Sequence, residues 1–354
     1  MAIEKKRPRG LKSSTASNKN KQRKTEPAKE GELPENAQTV MISKEVDEGD
    51  EVGEVVALYE DAMSKLHSQP TEAATVLRGV IHESDRILRN WEGEQPLPPA
   101  FYYTYGSALY QLGKLSDDDD PLAFVEAAEE RLQNGLDHWS DEDSVDMHKL
   151  RLSLGNVLLA KADGELAEVP ETAKESLDQI KKASAANGLP TSLLLEVAVS
   201  VQSHAELYSD QGSRELFTKW ASDTMDQLAK DSSVQARALH ELGLGQLSWA
   251  NYWMDQMDDD ECESSEEKAK ACTALAKAKN YLVQAQEKSQ EPGSQLLCDL
   301  AEVSLMDANF MEDEDQQKAV YDKVLGLVED AKRLGGTDYK VPEGLALFVD
   351  EMQN

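Results

Sequence analysis

The chain has 354 residues with 37 Lys/Arg against 68 Asp/Glu, a formal net charge of −31, and only three cysteines. That length accommodates two domains of roughly 150 residues or one extended repeat array, and either buries a core. No run of about 18 apolar residues occurs to span a bilayer, and the odd cysteine count without CxxC spacing excludes a disulfide framework and a cysteine zinc site.

The opening residues lack the apolar stretch of a secretory signal, and Glu4 sits where mitochondrial presequences avoid acids, so a soluble intracellular protein is expected. Cys262, Cys272 and Cys298 read as plain thiols. His67, His82, His138, His148, His204 and His240 are dispersed without HExxH or paired-ligand spacing, so neither a metal nor another cofactor is expected.

Charge divides by position. Residues 1–30 carry ten Lys/Arg against three Glu, a net of +7, and the remainder carries −38. A body of that charge repels phosphate backbones, so it is not expected to bind nucleic acid directly; its acidity favours solubility or a basic partner. Residues 1–46 are rich in Lys, Arg, Ser, Asn, Glu and Pro and poor in aromatic and branched apolar residues. Such a segment buries too little to offset the entropy of ordering, and a disordered basic arm is predicted. Two clusters stand in it, KKRPR (Lys5, Lys6, Arg7 and Arg9) and KQRK (Lys21, Arg23 and Lys24), separated by 11 residues. Two such clusters on one tether fit two acidic pockets of an import receptor, the second engagement being favoured by effective concentration; the plainer alternative is a nonspecific nucleic-acid or solubility tail. Ser13, Ser14, Thr15 and Ser17 lie between the clusters, where phosphate would weaken the positive field.

Beyond the arm, long segments of 3.6-residue period predict an all-α chain, with the nine later prolines between the segments. Six helix pairs are predicted: 50–68 with 71–91, 99–114 with 119–137, 144–163 with 171–187, 190–209 with 213–230, 233–255 with 264–289, and 292–311 with 315–334. A short helix near 342–352 closes the series. The first helix of each pair carries a small residue flanked by apolar ones: Ala57, Gly106, Gly155, Ala198, Gly243 and Ala301, at spacings of 49, 49, 43, 45 and 58. These intervals exceed the ~34 of tetratricopeptide repeats and approach the ~40–47 of HEAT-type units, so helical-hairpin repeats in a HEAT/TPR-like solenoid are expected, with an irregular bundle as the alternative. A small side chain at that place lets the neighbouring helix approach closely. The expected organisation is an arm (1–46), a smaller N-terminal helical part (47–139) and a larger C-terminal one (140–354).

In the helix over 71–91, Val76, Leu77, Val80, Ile81, Ser84, Ile87, Leu88 and Trp91 form one packing stripe. His82, Asp85, Arg86 and Arg89 centre roughly 160° away, facing outward or toward another layer. They read first as a solvated, charge-paired stripe and second as a partner-binding ridge. The helix over 233–255 is apolar nearly all round, as a central helix is, and its Trp249 and Trp253 serve the core or line a peptide groove. Acidic runs at 117–120, 257–263 and 312–315 fall in predicted turns, as solvated loops or as a ridge for basic peptides; Ser264 and Ser265 precede Glu266 and Glu267, as acid-directed kinases require. No Gly-rich phosphate loop, Ser/His/Asp order or catalytic Cys context occurs, and no catalytic residue is nominated.

The run VLRGVIHESDRILR (residues 76–89), after an arm that begins KKRPRGL, resembles the fungal enhancer of translation termination family. Similarity continues in SLGNVLL, in KAKNYLVQAQEK (277–288) and in DLAEVSLMDANF (299–310). The resemblance implies a nuclear, all-helical, HEAT-like protein without catalysis, linked to accurate stop-codon termination and to hypoxic and sterol gene expression. It also implies a protein partner, a 2-oxoglutarate-dependent prolyl hydroxylase-like oxygenase that family members bind and help into the nucleus; the termination machinery is a further expected partner. The reading expected is thus an adaptor whose body holds a client while the arm engages an import receptor. The alternative is an acidic chaperone for basic nuclear or ribosomal proteins.

Overall fold

The computed structural model describes residues 10–11, 38–39, 46–47, 49–66, 68–116, 121–139, 144–161, 166–257, 266–336 and 339–353. Among them are thirteen helices: α1 (Glu51–Lys65), α2 (Pro70–Asn90), α3 (Pro99–Leu115), α4 (Pro121–His138), α5 (Val145–Leu159), α6 (Glu171–Ser184), α7 (Thr191–Ala205), α8 (Gln211–Leu228), α9 (Gln235–Asp255), α10 (Glu266–Lys288), α11 (Ser294–Ala308), α12 (Glu314–Gly335) and α13 (Glu343–Gln353). Each predicted helical segment has its counterpart, and the fold is all-α, built of sequential hairpins. Two strands of two residues, β1 (Gly10–Leu11) and β2 (Gln38–Thr39), pair antiparallel with Gly10 opposite Thr39. The rest of the predicted disordered arm up to residue 45 lies outside the described residues, including Lys5, Lys6, Arg7, Arg9, Lys21, Arg23 and Lys24. So do the acidic residues 117–120 and 258–263, Cys262, Ser264 and Ser265.

Local chemistry sets the helix ends. Pro70, Pro99 and Pro121 are the first residues of α2, α3 and α4 rather than linker residues, because a fixed φ and a missing N–H suit the first helical position. Asp50 caps α1 by accepting from the Gly53 N–H at 2.9 Å, and Asp210 caps α8 through Ser213 at 2.8 Å. The run at 312–315 is exposed, and its second half is helical: Asp313 caps α12, accepting from the N–H groups of Asp315 and Gln316 at 3.0 and 3.1 Å, and Glu314 and Asp315 occupy the first turn. Each such cap stabilises its helix by about 1 kcal/mol, and the acids face the positive end of the helix dipole. At the other end of α12, Gly336 adopts φ +72°, which suits glycine, and its N–H donates to the Lys332 carbonyl at 3.1 Å.

The chain divides into residues Met1–Val157 and Leu158–Asn354. In the first unit α1 packs on α2, α3 on α4, and α2 on α3. The helix α3 is central: Phe101, Tyr102 and residues 104–113 are all buried. At Gly106 a Cβ would fall 2.5 Å from Leu132 Cγ and 3.1 Å from the Ala128 carbonyl oxygen, so a side chain there would push α4 away. Along α2, Val76, Leu77, Val80, Ser84 and Ile87 are buried at the expected spacing. Trp91 departs from that expectation: the helix ends at Asn90, Trp91 turns into extended backbone, and its indole is 42% exposed with Nε1 donating to the Gln95 carbonyl.

In the second unit the hairpins are α7/α8, α9/α10 and α11/α12, joined by α8 on α9 and α10 on α11, with α13 against α11. The central position of α9 that its composition predicts is what the structure shows. It packs on α7, α8, α10 and α11, and buries Leu239, Leu247 and Ala250 with Leu275, Ala278 and Leu282 of α10 and Leu296, Leu300 and Val303 of α11. Polar ties fix it further: Arg237 pairs with Glu196 of α7 at 2.7 Å, and His240 Nε2 lies 2.6 Å from the buried Asp299 carboxylate of α11. Cys298 is buried against α12 and α13, and Cys272 is a free thiol.

Within α7 and its C-terminal turn, His204 and Tyr208 pack with Phe217 of α8. His204 Nε2 lies 2.9 Å from the Tyr208 hydroxyl. Burial holds the His204 imidazole below its ordinary value, while the Leu159 carbonyl, which makes no well-formed hydrogen bond to Nδ1, pulls the other way. The unfolded chain therefore binds this proton more readily than the folded one, so stability is full above about pH 6.5 and is lost as pH falls below it. The urea midpoint of the wild type is expected to drop further between pH 7.5 and 5.5 than that of His204→Gln. Equal drops would contradict this origin.

Candidate functional site

The nominated residues fall in both units, and each group is taken within its own. In the first unit, α2 presents Asp85 and Arg86 to neighbouring helices, whereas Arg89 is exposed and bonds within α2. Arg86 Nη2 reaches Glu51 of α1 at 2.9 Å while its Nε holds Glu83 at 2.7 Å, and these carboxylates raise the guanidinium pKa further. Asp85 Oδ1 accepts from the Tyr105 hydroxyl of α3 at 2.5 Å, and Arg89 Nε donates to the Asp85 carbonyl at 3.1 Å. Burial, then the bond to Asp85, pushes the Tyr105 phenol up to about 12, so it stays a neutral donor. The Arg131 guanidinium of α4 lies 5.3 Å from the centre of the Tyr105 ring. Asp85, Tyr105 and Arg131 thus form a polar chain across α2, α3 and α4. His82 is half-buried on the same helix.

In the second unit Trp249 and Trp253 sit one helical turn apart on α9, half-buried, with ring centroids 6.1 Å apart and planes 23° from parallel. They floor an open groove of about 620 Å³ with walls from α8 and α10. Its volume lies within the roughly 300–1,000 Å³ of pockets that hold a ligand. On the α8 wall stand Glu215, Thr218 and Lys219; on the α10 wall, Glu266, Lys270, Thr273 and Lys277. Lys270 Nζ lies 4.3 Å from the Trp253 ring centre and pairs with Glu266 at 2.8 Å, which raises the ammonium and lowers the carboxylate. Behind Trp249, the Arg214 guanidinium lies 5.6 Å from that ring and 4.8 Å from Tyr252, and burial lowers its pKa. Both indoles meet Tyr252 at steep angles, and both line the groove.

Tyr105, Arg131, Arg214, Lys219, Lys270 and Lys277 escaped sequence reasoning. Lys270 and Lys277 carried a signal, since residues seven apart share a helix face, and lysines facing a double tryptophan are unusual in so acidic a chain. Tyr105 and Arg131 carried none, because their meeting with Asp85 depends on how three helices cross. Among the described residues no three His, Cys, Asp or Glu side chains converge as a metal site requires, and no helix is long and apolar enough to cross a membrane.

Residues 1–163 match the family model of the nuclear pore complex subunit Nro1. The negative regulator of ofd1 from Schizosaccharomyces pombe is 33% identical over 138 residues, 35% of this chain and 35% of that protein. Enhancer of translation termination 1 from Meyerozyma guilliermondii is 28% identical over 216 residues, 59% of this chain and 46% of that protein. The chain spans about a third to a half of the length of these curated relatives. Solved structures of S. pombe Nro1, described as a hypoxic regulator of sterol synthesis and a nuclear import adaptor, share the fold. One superposes with a TM-score of 0.51 at 20% identity over 86% of this chain and 93% of the other, and another crystal form with 0.52 at 21% over 89% and 100%.

Proposed function

We propose that this chain, which matches the Nro1 family model over residues 1–163 and is similar to the enhancers of translation termination, is a member of that family and a non-enzymatic nuclear adaptor and regulator. Its helical body binds a 2-oxoglutarate-dependent oxygenase, its basic arm engages an import receptor, and through them it supports accurate translation termination and hypoxic and sterol gene regulation. The observation that carries this reading is the family match over residues 1–163, which takes in both basic clusters together with the VLRGVIHESDRILR helix. The names of the relatives point the same way, to regulation of a protein partner, to termination and to import. Physically, an acidic helical body offers groove and ridge surfaces for a protein, while a basic tether outside that body reaches receptor pockets.

The test replaces Lys5, Lys6, Arg7, Arg9, Lys21, Arg23 and Lys24 with Ala in the full chain. The variant is expected to move from nucleus to cytoplasm, read as the nuclear fraction of a fluorescent fusion, and to pull down the purified oxygenase as the wild type does. An unchanged nuclear fraction would sink the import role. Loss of oxygenase binding in the same variant would sink the division of labour between arm and body.

A further inference from the structure

We infer that the Trp249/Trp253 groove is a docking site for an acidic peptide segment that carries an apolar side chain. The inference rests on the reading of the helical body as a protein-binding surface and is independent of the import role of the arm. Charge is what identifies the occupant. In a chain of net charge −31 the groove is bounded by three lysines, Lys219 on α8 and Lys270 and Lys277 on α10. The two carboxylates that share the lining are already engaged: Glu266 holds Lys270 at 2.8 Å, and Glu215 accepts from Gln211 Nε2 at 2.6 Å. Lys219 and Lys277 are exposed, stand on opposite walls, and have no ion-pair partner among the described residues. Two exposed lysines on opposite walls of an aromatic floor suit a peptide with acids on either side of an apolar residue. The apolar side chain covers the indoles, as aromatic hot spots favour, while its carboxylates meet Lys219 and Lys277.

The same features reject other occupants. A basic peptide brings its cations against the three lysines that bound the groove. A single-stranded nucleic acid stacks on indoles and is drawn to lysines, but it carries a phosphate at every nucleotide, and a chain of net charge −31 repels a polyanion longer than the groove.

The experiment uses the full chain and three fluorescein-labelled probes read by anisotropy: a synthetic peptide with glutamates flanking one Phe and one Leu, the same peptide with every Glu replaced by Lys, and oligothymidine. The acidic peptide is expected to bind saturably and to weaken with salt. In Lys219→Glu/Lys277→Glu, changes at exposed sites that spare the core, its affinity falls by about tenfold or more and that of the lysine peptide rises. Trp253→Ala weakens the acidic peptide by about thirtyfold. No binding of the acidic peptide, preference of the wild type for the lysine peptide or oligothymidine, or acidic-peptide binding indifferent to the charge reversal each overturns the assignment. The arm variant separates the two ideas: failed peptide binding while that variant still leaves the nucleus overturns the groove alone, and a variant that stays nuclear with peptide binding intact overturns the import reading alone.

Discussion

Replacing Phe217 with alanine is expected to destabilise the second unit by about 3–5 kcal/mol, measured as the shift in a urea melt followed by circular dichroism. Phe217 is fully buried on α8. Its ring stacks on Tyr208 with centroids 5.4 Å apart and planes within 5°, and meets His204 edge-on at 4.7 Å. Truncation removes a whole aromatic side chain from between two neighbours that cannot fill the space. Tyr208 is held by its bond to His204, and His204 by the helix that carries it, so the lining cannot collapse. The loss has a second reading, because Thr218 and Lys219 of the groove follow Phe217 on the same helix: peptide affinity is expected to fall along with stability. A destabilisation below about 1 kcal/mol would show that this aromatic cluster is not a keystone of the unit.

Gly243→Leu is expected to cost about 2–3 kcal/mol, the clash outweighing the better helix propensity of leucine. A Cβ at Gly243 would lie 2.7 Å from Leu282 Cγ and Cδ2 of α10, with the Ala278 carbonyl 3.4 Å away. The two helices approach too closely to admit a branched side chain, and both the clashing leucine and the alanine belong to one cluster with α11. Gly326→Ala supplies the contrast. That glycine lies at an exposed position of α12 with nothing within 4 Å of a Cβ, so the substitution is expected to stabilise by up to about 1 kcal/mol. Thermal melts of the two variants in parallel check the opposite signs; the same sign for both would show that helix propensity, not close approach, governs these positions.

The recurrence of a small residue in the first helix of each pair was legible in the sequence, and at two of these positions the packing leaves no room for a side chain: a Cβ at Gly106 would clash with Leu132 of α4, and one at Gly243 with Leu282 of α10, each in its own hairpin. Helix existence was legible for the same reason, since a 3.6-residue apolar period together with proline and acid at the starts repeats the local rule that builds the hairpin. What the sequence concealed were the meetings between helices. Asp85 looked like part of an outward stripe because the angle around one helix says nothing of a second helix passing over it, and Tyr105 comes from α3 to claim it. Trp91 looked like core because the period continues through it, but the helix stops one residue earlier. The acids at 312–315 looked like a loop because capping residues and solvated acids have the same composition and differ only in where their oxygens point. The groove was half legible: its tryptophans stood out, while its lysines come from two other helices.

The nuclear fraction of the proposed oxygenase client, measured in cells that carry either the wild-type chain or the seven-alanine arm variant, tests the adaptor account most directly. With client binding intact, the account predicts that this fraction falls in the variant to the level of cells lacking the chain altogether. An oxygenase that remains as nuclear with the arm variant as with the wild type would contradict it.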